Sequence, residues 1–455
     1  MIRTYSAPTA INLEITEVCN FKCKHCYNPW RAESLGEVSL EKKKLTELLN
    51  EFKNAGVFHV IFSGGEPLAK FELLLHGIKT AVNLGLSTSI NSTLSLATDK
   101  KMQKLKEAGA DHILASWYDL DKRKTIEITG TKNSFEAIKK GIKCAVDNGI
   151  RVSVNTICTD QNYGALYESG KIVHSLGATQ FIAHRVVPPA YDRKDERQHR
   201  INKIASLSGL DELLRLKKDT GIKVATLISY PLCLLGDLDK YADFVGRGCP
   251  TQSGHRFSIN SNGDTHACVM EDKTYGNIFE SGLRKCFSNS RNWRNKSMYF
   301  EGCSGCDYID LCQTGCRMDA FAATGEMNGK DPLWVGKENI TVDFKFIKDK
   351  EIIKRVENGL NLRVDKSIRW RLEKDFYLLN IRWANTIEVS LEEGDFLKSI
   401  QDKSISFSFY DQDIFSSERL ALLLFKEAIY SNELTLEIDR KGVGVDPYKL
   451  PKRCQ

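Results

Sequence analysis

Three cysteines near the N-terminus, Cys19, Cys23 and Cys26, have the spacing C-x3-C-x2-C, so that three thiols fall within eight residues. A short loop can direct all three at one point. Three thiolates suit three irons of a [4Fe–4S] cube and leave the fourth iron free to bind a small molecule. The alternative is a structural zinc site, which requires a fourth protein ligand, and none is visible in this stretch. The triplet therefore predicts an iron–sulfur centre with a vacant coordination position.

A pair of glycines follows the second apolar run of the chain. Residues 60–62 (Val-Ile-Phe) predict a buried strand, and Ser-Gly-Gly-Glu-Pro follows at residues 63–67. Two glycines at the end of a strand allow another group to approach the backbone closely. A Gly-Gly pair by itself more often marks a plain turn, so this run gains its meaning from the cysteine triplet.

The triplet and the glycine run together resemble the radical S-adenosylmethionine (radical SAM) superfamily, and the match includes the apolar run at residues 11–15 and Tyr27. The resemblance implies a [4Fe–4S] cluster at the three cysteines, with S-adenosylmethionine (SAM) bound at the spare iron through its amino and carboxylate groups. It also implies that the turn after the second strand holds the methionine ammonium of SAM. The candidate SAM-binding residues of this turn are Gly64, Gly65, Glu66 and Pro67.

The reaction implied by the resemblance is the reductive cleavage of SAM to methionine and a 5′-deoxyadenosyl radical, which takes a hydrogen atom from an unactivated carbon of the substrate. The cofactor supplies this chemistry, and the protein supplies binding and orientation. Hydrogen abstraction needs no general base, and no acid–base pair is evident in the sequence. We therefore assign no catalytic residue beyond the cluster.

Strands and helices alternate along the first half of the chain. Such alternation predicts an α/β fold with a parallel sheet and helices outside it, and six such units resemble the partial (βα)6 barrel of radical SAM enzymes. A helix at residues 39–54 would have Ser39 as its N-cap. The predicted strands are residues 10–15, 59–62, 86–90, 112–116, 151–157 and 180–184.

Polar side chains are predicted at one end of this sheet. Active sites on parallel barrels lie at the C-terminal ends of the strands, where the triplet and the glycine run also fall. The side chains that end strands there are Ser89, Asn91, Ser116, Asn155 and Arg185. Each of them would serve equally well as a loop cap. We retain Ser116 and Asn155 as candidate contacts of SAM.

A second dense cysteine region begins after residue 230. It has the pattern C-x13-G-x4-C, a gap, and C-x2-C-x5-C-x3-C, formed by Cys249, Gly263, Cys268, Cys303, Cys306, Cys312 and Cys316. The glycine lies in a predicted hairpin turn that brings the first two cysteines onto neighbouring segments. This pattern resembles the SPASM domain of radical SAM enzymes, which carries two auxiliary iron–sulfur clusters. A zinc-binding region is the alternative, since zinc ribbons also use C-x2-C pairs.

The resemblance implies a division of these cysteines between two auxiliary clusters. The ligands implied for the first cluster are Cys249, Cys268, Cys316 and, upstream, Cys233. Those implied for the second cluster are Cys303, Cys306, Cys312 and a seventh cysteine of the pattern.

The seventh cysteine is missing from this chain. Trp334 stands where the pattern has it, and no cysteine occurs between Cys316 and Cys454. Four possibilities stay open for the second cluster: an open iron, an oxygen ligand such as Asp331, recruitment of Cys454, or no cluster. An open iron would bind substrate, whereas a fully ligated cluster would relay electrons.

The composition agrees with a globular enzyme. The chain has 455 residues, which predicts two or three domains, and its fractions of hydrophobic (42%) and charged (27%) residues are ordinary. No apolar run approaches the roughly 18 residues that span a membrane, and the N-terminus does not predict a signal peptide. Clustered cysteines in a reducing compartment more often bind metal than form disulfides. With a mild net charge of +6, we expect a cytoplasmic protein with neither a membrane nor a nucleic-acid partner.

The C-terminal region lies outside the cysteine patterns and predicts a small α+β module. It loosely resembles the winged-helix elements that hold precursor peptides by strand addition, and the alternative is a scaffold or dimerisation module. Strands are predicted within residues 342–346, 386–390 and 405–410, with two further apolar runs at 368–372 and 376–381, and helices are predicted at 391–401 and 416–431. The predicted domains are residues 1–228 (barrel), 229–335 (SPASM), 336–440 (C-terminal module) and 441–455 (tail).

The substrate of SPASM enzymes is usually a peptide or protein. The resemblance therefore implies a peptide maturase that installs a cross-link, such as a thioether or carbon–carbon bond, in a ribosomally made precursor. Its partners would be that precursor peptide or protein and an external electron donor, flavodoxin or ferredoxin. The auxiliary clusters would accept the electron left when the bond closes.

Three other functions remain open. The first is a sulfatase maturase that forms formylglycine, against which Trp334 counts because that class normally keeps all seven cysteines. The second is a tetrapyrrole or other small-molecule radical SAM enzyme. The third is a non-enzymatic metal-binding regulator, which would contain zinc without sulfide.

Overall fold

The computed structural model describes residues 5–28, 37–188, 200–245, 248–342, 360–364, 368–382, 385–401, 404–407 and 429–430. They fall into two compact units, with the boundary between Thr341 and Val342. The predicted barrel and the cysteine-rich region both lie in the first unit. The domain boundaries proposed at 228/229 and 335/336 stay predictions, and the proposed tail lies outside the described residues.

Nine strands of the described chain form one sheet in the first unit. They are β1 Ala10–Thr16, β2 His59–Gly64, β3 Ser87–Ser92, β4 His112–Trp117, β5 Arg151–Cys158, β6 Gln180–Arg185, β7 Lys223–Ala225, β8 Arg256–Ile259 and β9 Thr265–His266. Their order is β7-β6-β5-β4-β3-β2-β1-β8-β9. Neighbours from β1 to β7 pair in parallel, as do β1 and β8, whereas β8 and β9 pair antiparallel. The six predicted strands and the α/β fold are confirmed.

Helices follow the strands, as the alternation predicts. Those of the first unit are α1 Lys42–Ala55, α2 Phe71–Asn83, α3 Asp99–Glu107, α4 Lys122–Thr129, α5 Ser134–Asp147, α6 Leu166–Ser175, α7 Lys203–Thr220, α8 Leu232–Leu235, α9 Ile278–Ser281, α10 Leu283–Asn289, α11 Ile309–Cys312 and α12 Arg317–Thr324. All seven residues of β1 are buried, as expected for a parallel strand covered on both faces. Among the described helices, none combines the length and the apolar composition that a membrane crossing requires.

The predicted start of α1 is wrong by three residues. The helix begins at Lys42 with Glu41 at the N-cap position. Ser39 instead forms an isolated bridge with Thr16 at the end of β1, and their hydroxyl oxygens are 2.7 Å apart. The apolar stripe of α1 places Leu45, Leu48, Leu49, Phe52 and Ala55 in the core, with the three- and four-residue spacing of a helix that covers a sheet.

The second unit is a small α+β module, as predicted. Its elements are β10 Leu360–Val364, β11 Arg369–Leu372, β12 Phe376–Arg382, β13 Asn385–Ser390, α13 Leu391–Ser399, β14 Ser404–Phe407 and β15 Ile429–Tyr430. The sheets β11-β12-β13 and β14-β10-β15 are antiparallel. Ser390 and Glu393 form a capping box that begins α13.

Two predictions for this unit need comment. Most of the predicted strand at residues 342–346 and most of the predicted helix at residues 416–431 lie outside the described residues. The end of that helix prediction is wrong, because Ile429 and Tyr430 pair with β10 as a strand. Helical spacing of apolar residues over a long window hid this short strand, since two residues are too few to show alternation.

Candidate active site and cysteine sets

The cysteine triplet lies in the loop that leaves the C-terminal end of β1. All three cysteines are partly buried. The backbone amides of Lys22 and Lys24 donate to the carbonyls of Thr129 and Ile128 at the C-terminal end of α4, at 2.9 and 3.0 Å. The loop is thus fastened to the barrel by backbone hydrogen bonds that do not depend on a metal.

The hydroxyl group of Tyr118 contacts one thiol of the triplet. It lies 3.3 Å from Sγ of Cys23, directly after β4. Burial, and then the negative charges of Cys23, Cys19 and Cys26, raise the pKa of Tyr118 well above its ordinary value. Three thiols in one loop, one of them beside a buried hydroxyl at the C-terminal ends of parallel strands, are a donor set that fits a [4Fe–4S] cluster with one free iron.

At the glycine run that ends β2, the backbone of residues 16–18 occupies the space beside both glycines. Gly64 has φ +133°, and a Cβ there would lie 2.2 Å from the carbonyl oxygen of Thr16. A Cβ on Gly65 would lie 2.4 Å from the carbonyl oxygen of Val18. The amide of Gly65 donates to Thr16 at 2.7 Å, and that of Glu66 to Val18 at 2.8 Å. Both glycines therefore let the segment before Cys19 pack against β2, which fixes the start of the triplet loop.

Glu66 has a structural role that the sequence did not reveal. Its buried carboxylate accepts hydrogen bonds from the Leu68 amide (3.0 Å), the Ser92 hydroxyl (2.7 Å), and both the amide and the hydroxyl of Thr93 (2.7 Å each). Ser92 ends β3, so Glu66 ties the ends of β2 and β3 together. Pro67 begins a single helical turn after it. The proposed SAM contacts of residues 64–67 stay predictions, and the Glu66 side chain is already saturated by protein donors.

Ser116 and Asn155 are neighbours across β4 and β5, on the same end of the sheet as the triplet. Oδ1 of Asn155 accepts a hydrogen bond from Nδ1 of His184, at 2.8 Å. Burial, and then the charge of His25 in the triplet loop, lower the pKa of His184 to about 4, so this imidazole is neutral at neutral pH. Sequence reasoning missed His184, although it stands one residue before the end of β6.

Two other strand residues do not serve this site. Ser89 lies within β3, and its hydroxyl is 3.0 Å from Nε2 of His59. Arg185 ends β6, but its buried guanidinium pairs with the carboxylates of Asp331 and Asp319. Arg185 therefore joins the barrel to the cysteine-rich region of the same unit.

Cys233 lies beside the cysteines that the resemblance assigns to the second auxiliary cluster, and the ligand sets themselves stay predictions. Four thiols, those of Cys233, Cys303, Cys306 and Cys312, line one pocket. The amide of Leu232 lies 3.4 Å from Sγ of Cys312, which brings α8 against α11. Burial, and then mainly the charges of other thiols of the group, raise the pKa of Cys303 to about 11 and that of Cys312 to about 12.

The remaining thiols form a second group around the β8–β9 hairpin. Burial, and then the charges of Cys249 and Cys316, raise the pKa of Cys268 well above its ordinary value. The hydroxyl of Thr251 donates to the carbonyl of Ala267 at 3.0 Å, so the segments that carry Cys249 and Cys268 are adjacent, as the hairpin predicts.

Asp331 lies beside Cys316 of the hairpin group and is not among the residues that line the pocket with Cys303, Cys306 and Cys312. Its Oδ2 accepts a hydrogen bond from the amide of Cys316 at 2.9 Å, and both of its oxygens bind Arg185. Its alternative role as an oxygen ligand beside Cys303, Cys306 and Cys312 therefore finds no support in its position. Cys454 lies outside the described residues. Within the described ranges, no three His, Cys, Asp or Glu side chains converge closely enough to hold a single metal ion.

Comparisons with known proteins agree with this geometry. Residues 13–166 match the family model of the radical SAM superfamily. A PqqA peptide cyclase from Bradyrhizobium diazoefficiens is 26% identical over 339 residues, which cover 72% of this chain and 86% of the relative. An AdoMet-dependent heme synthase from Oleidesulfovibrio alaskensis is 25% identical over 340 residues, 70% of this chain and 85% of the relative.

Two solved structures are similar in fold. Streptococcus suis SuiB bound to the precursor peptide SuiA aligns with a TM-score of 0.58 at 18% identity, over 72% of this chain and 75% of that chain. Native anSMEcpe with bound AdoMet aligns with a TM-score of 0.57 at 16% identity, over 72% of this chain and 94% of that chain.

Proposed function

We propose that this chain, a radical SAM enzyme, modifies a peptide: it takes a hydrogen atom from one residue of a ribosomally made precursor and forms a cross-link. The observation that carries the proposal is that one compact unit holds the SAM-type triplet together with two further groups of thiols. The peptide cyclases among the relatives support the substrate class. A cytoplasmic location and an external donor such as flavodoxin or ferredoxin complete the proposal.

The triplet is proposed to hold the [4Fe–4S] cluster and SAM that the family implies. When bound, they supply the reductive cleavage of a carbon–sulfur bond and the abstraction of a hydrogen atom. The protein contributes the fixed loop, which Gly64 and Gly65 hold against β2, and the buried Tyr118 hydroxyl beside Cys23. Ser116 and Asn155 are proposed to contact SAM, with neutral His184 orienting the Asn155 amide.

The two further groups of thiols are proposed to hold auxiliary [4Fe–4S] clusters. Closing a bond on a substrate radical releases one electron, and a cluster within the same unit is a suitable acceptor. Buried thiols with raised pKa values ionise readily only when a metal binds them. Arg256, which is half-buried near Cys268 and Cys249, offsets the negative charge of the group to which they belong.

The decisive experiment is an anaerobic assay with a short peptide encoded beside this gene, SAM and a reductant. We expect 5′-deoxyadenosine and a peptide lighter by two hydrogens. The Cys23→Ala variant should form neither product. SAM cleavage without a change in the peptide mass, for every neighbouring peptide tested, would contradict the cross-linking function.

A second candidate is a tetrapyrrole modification, which the similarity to AdoMet-dependent heme synthases favours. The same protein should then convert a tetrapyrrole in the presence of SAM and a reductant, and leave peptides unchanged. Running both substrates against one preparation separates the two functions.

A further inference from the structure

We propose that Cys233 is the fourth thiolate of the second auxiliary cluster, with Cys303, Cys306 and Cys312, and that it supplies the ligand that Trp334 cannot. The first auxiliary group then has the three thiols of Cys249, Cys268 and Cys316. This inference rests on the proposed auxiliary clusters and assigns their ligands.

The pocket is the geometric basis of this assignment. Cys303, Cys306 and Cys312 come from one short stretch, and Cys233 reaches the same pocket from a segment some 70 to 80 residues upstream. Four cysteines that line one small apolar space can hold a compact cluster, whereas thiols around a single ion would meet at a point. The sequence left this group one thiol short, and the fold brings that thiol to it.

Trp334 stands at the position where the SPASM pattern has its seventh cysteine. Its indole lines the same pocket, so the segment after Asp331 reaches the site with a ring and no thiol. The amide of Val335 lies 3.5 Å from Sγ of Cys233. The side-chain amide of Asn339 donates to the carbonyl of Cys233 at 2.7 Å. The segment that lacks a cysteine therefore packs on Cys233 and holds it at the pocket.

Backbone amides also face the thiols of this group. The Leu232 amide lies 3.4 Å from Sγ of Cys312, and the Val335 amide lies 3.5 Å from Sγ of Cys233. Hydrogen bonds to ligating sulfurs stabilise clusters and set their potentials. Lys337, which donates to the carbonyl of Ser304 at 3.0 Å, lines the pocket as a counter-charge for four thiolates. Amides and a lysine around four thiols are the surroundings expected of an anionic cluster.

The first auxiliary group has a different environment. Among the described residues, the half-buried Arg256 lies near Cys249 and Cys268, and its buried Nε has no hydrogen-bond partner there. Asp331 is already held by Arg185 and by the Cys316 amide. Cys233 stands with the pocket thiols instead, so the proposed division is four thiols and three, where the resemblance to the SPASM domain had implied the reverse.

The test uses the full-length chain with Cys19, Cys23 and Cys26 changed to alanine, so that only auxiliary iron is counted. In this protein we first make three single variants, Cys233→Ala, Cys306→Ala and Cys268→Ala. Two double variants then combine Cys233→Ala with Cys306→Ala and with Cys268→Ala. Iron and sulfide per chain and the electron paramagnetic resonance of reduced and oxidised samples are measured after anaerobic reconstitution. Cys286→Ala is the matched control, because Cys286 is buried but belongs to neither group.

We expect Cys233→Ala to lower iron by roughly one to four atoms per chain, as loss of one ligand from a four-iron cluster requires. Adding Cys306→Ala should not increase that loss beyond one cluster, whereas adding Cys268→Ala should, because only residues of one site act non-additively. The cluster that remains in each single variant, and in the pair of Cys233→Ala with Cys306→Ala, shows that these variants are folded, and circular dichroism checks the pair with Cys268→Ala. No effect of Cys233→Ala, non-additivity with Cys268→Ala, or additivity with both partners would overturn the assignment.

The same data distinguish this failure from failure of the proposed function. If the parent protein, with its auxiliary cysteines intact, binds zinc and no sulfide, the auxiliary clusters themselves are excluded. If it binds iron and sulfide but Cys233→Ala changes nothing, only the role of Cys233 is excluded.

Discussion

Arg185 and Asp331 form a two-point ion pair in the interior of the first unit. Nη1 lies 2.9 Å from Oδ1 and Nη2 lies 2.5 Å from Oδ2, and the side chains are 0% and 1% exposed. Arg185 ends β6, and Asp331 also accepts the amide of Cys316. This pair therefore connects the end of β6 to Cys316, one ligand of the proposed first auxiliary cluster.

Arg185→Met should destabilise the protein more than Asp331→Asn. The first change leaves the buried carboxylates of Asp331 and Asp319 without their counter-charge, at a cost of about 3–5 kcal/mol. The second leaves Arg185 with Asp319 still 3.5 Å away. Denaturant unfolding of the metal-free protein measures both.

The matched control is Asp147→Asn, which breaks the ion pair between Lys143 and Asp147. Both of these side chains are about half exposed, so the expected change is roughly 0.5 kcal/mol or less. Equal effects of the three substitutions would contradict a structural role for the buried pair.

Tyr118→Phe should leave the triplet cluster in place but lower its reduction potential. A hydroxyl that donates toward Sγ of Cys23 stabilises the more negative, reduced state, and the phenyl ring keeps the packing against Phe21 and His25. A hydrogen bond of about 1 kcal/mol corresponds to roughly 40 mV for a one-electron couple. A redox titration followed by paramagnetic resonance measures the shift.

Tyr167→Phe is the control for this potential. Its hydroxyl bonds the exposed Asp219 and faces none of the cysteine groups. A potential that stays the same in Tyr118→Phe, with a full complement of iron, would show that the hydroxyl does not bond the cluster.

Gly65→Ala should remove iron from the triplet although every thiol is kept. The added Cβ would lie 2.4 Å from the carbonyl oxygen of Val18, so the segment that leads into Cys19 must move. Gly164→Ala is the control, because nothing lies within 4 Å of a Cβ there. Iron per chain, counted in a protein whose auxiliary cysteines are removed, should fall only in the first variant. Retention of iron in both would show that the loop accommodates the shift.

The barrel and the triplet could be predicted because their signals are local. Short apolar runs separated by helical segments predicted β1 to β6, and the spacing of Cys19, Cys23 and Cys26 predicted a loop that carries three thiols. The neighbours of Cys233 could not be predicted, because its contacts join residues about 70 to 80 positions apart, and spacing says nothing about which distant thiol completes a group. The positions of Tyr118 and of the four donors to Glu66 could not be predicted either, because these groups lie at strand ends and in turns whose conformation depends on packing.

Glu14→Gln should change how stability depends on pH. Glu14, 7% exposed at the end of β1, has its pKa raised to about 8 by burial and then by the charge of Glu17, against a lowering hydrogen bond from Tyr27. Between about pH 4.5, the ordinary value, and pH 8, the folded protein therefore binds a proton that the unfolded chain has lost. The free energy of unfolding falls as pH rises through this window, and glutamine, which stays neutral, removes the fall.

The measurement is denaturant unfolding of metal-free wild type and Glu14→Gln between pH 5 and pH 9. Near pH 5 the two proteins should differ little, and toward pH 8 the variant should become more stable than wild type, by an amount on the order of several kcal/mol since each pKa unit corresponds to about 1.4 kcal/mol. Glu127→Gln, on the surface beside Lys24, should leave the wild-type profile unchanged. A constant difference between wild type and Glu14→Gln across the whole range would mean that Glu14 is ionised in the fold, held by Tyr27 as a charged acceptor.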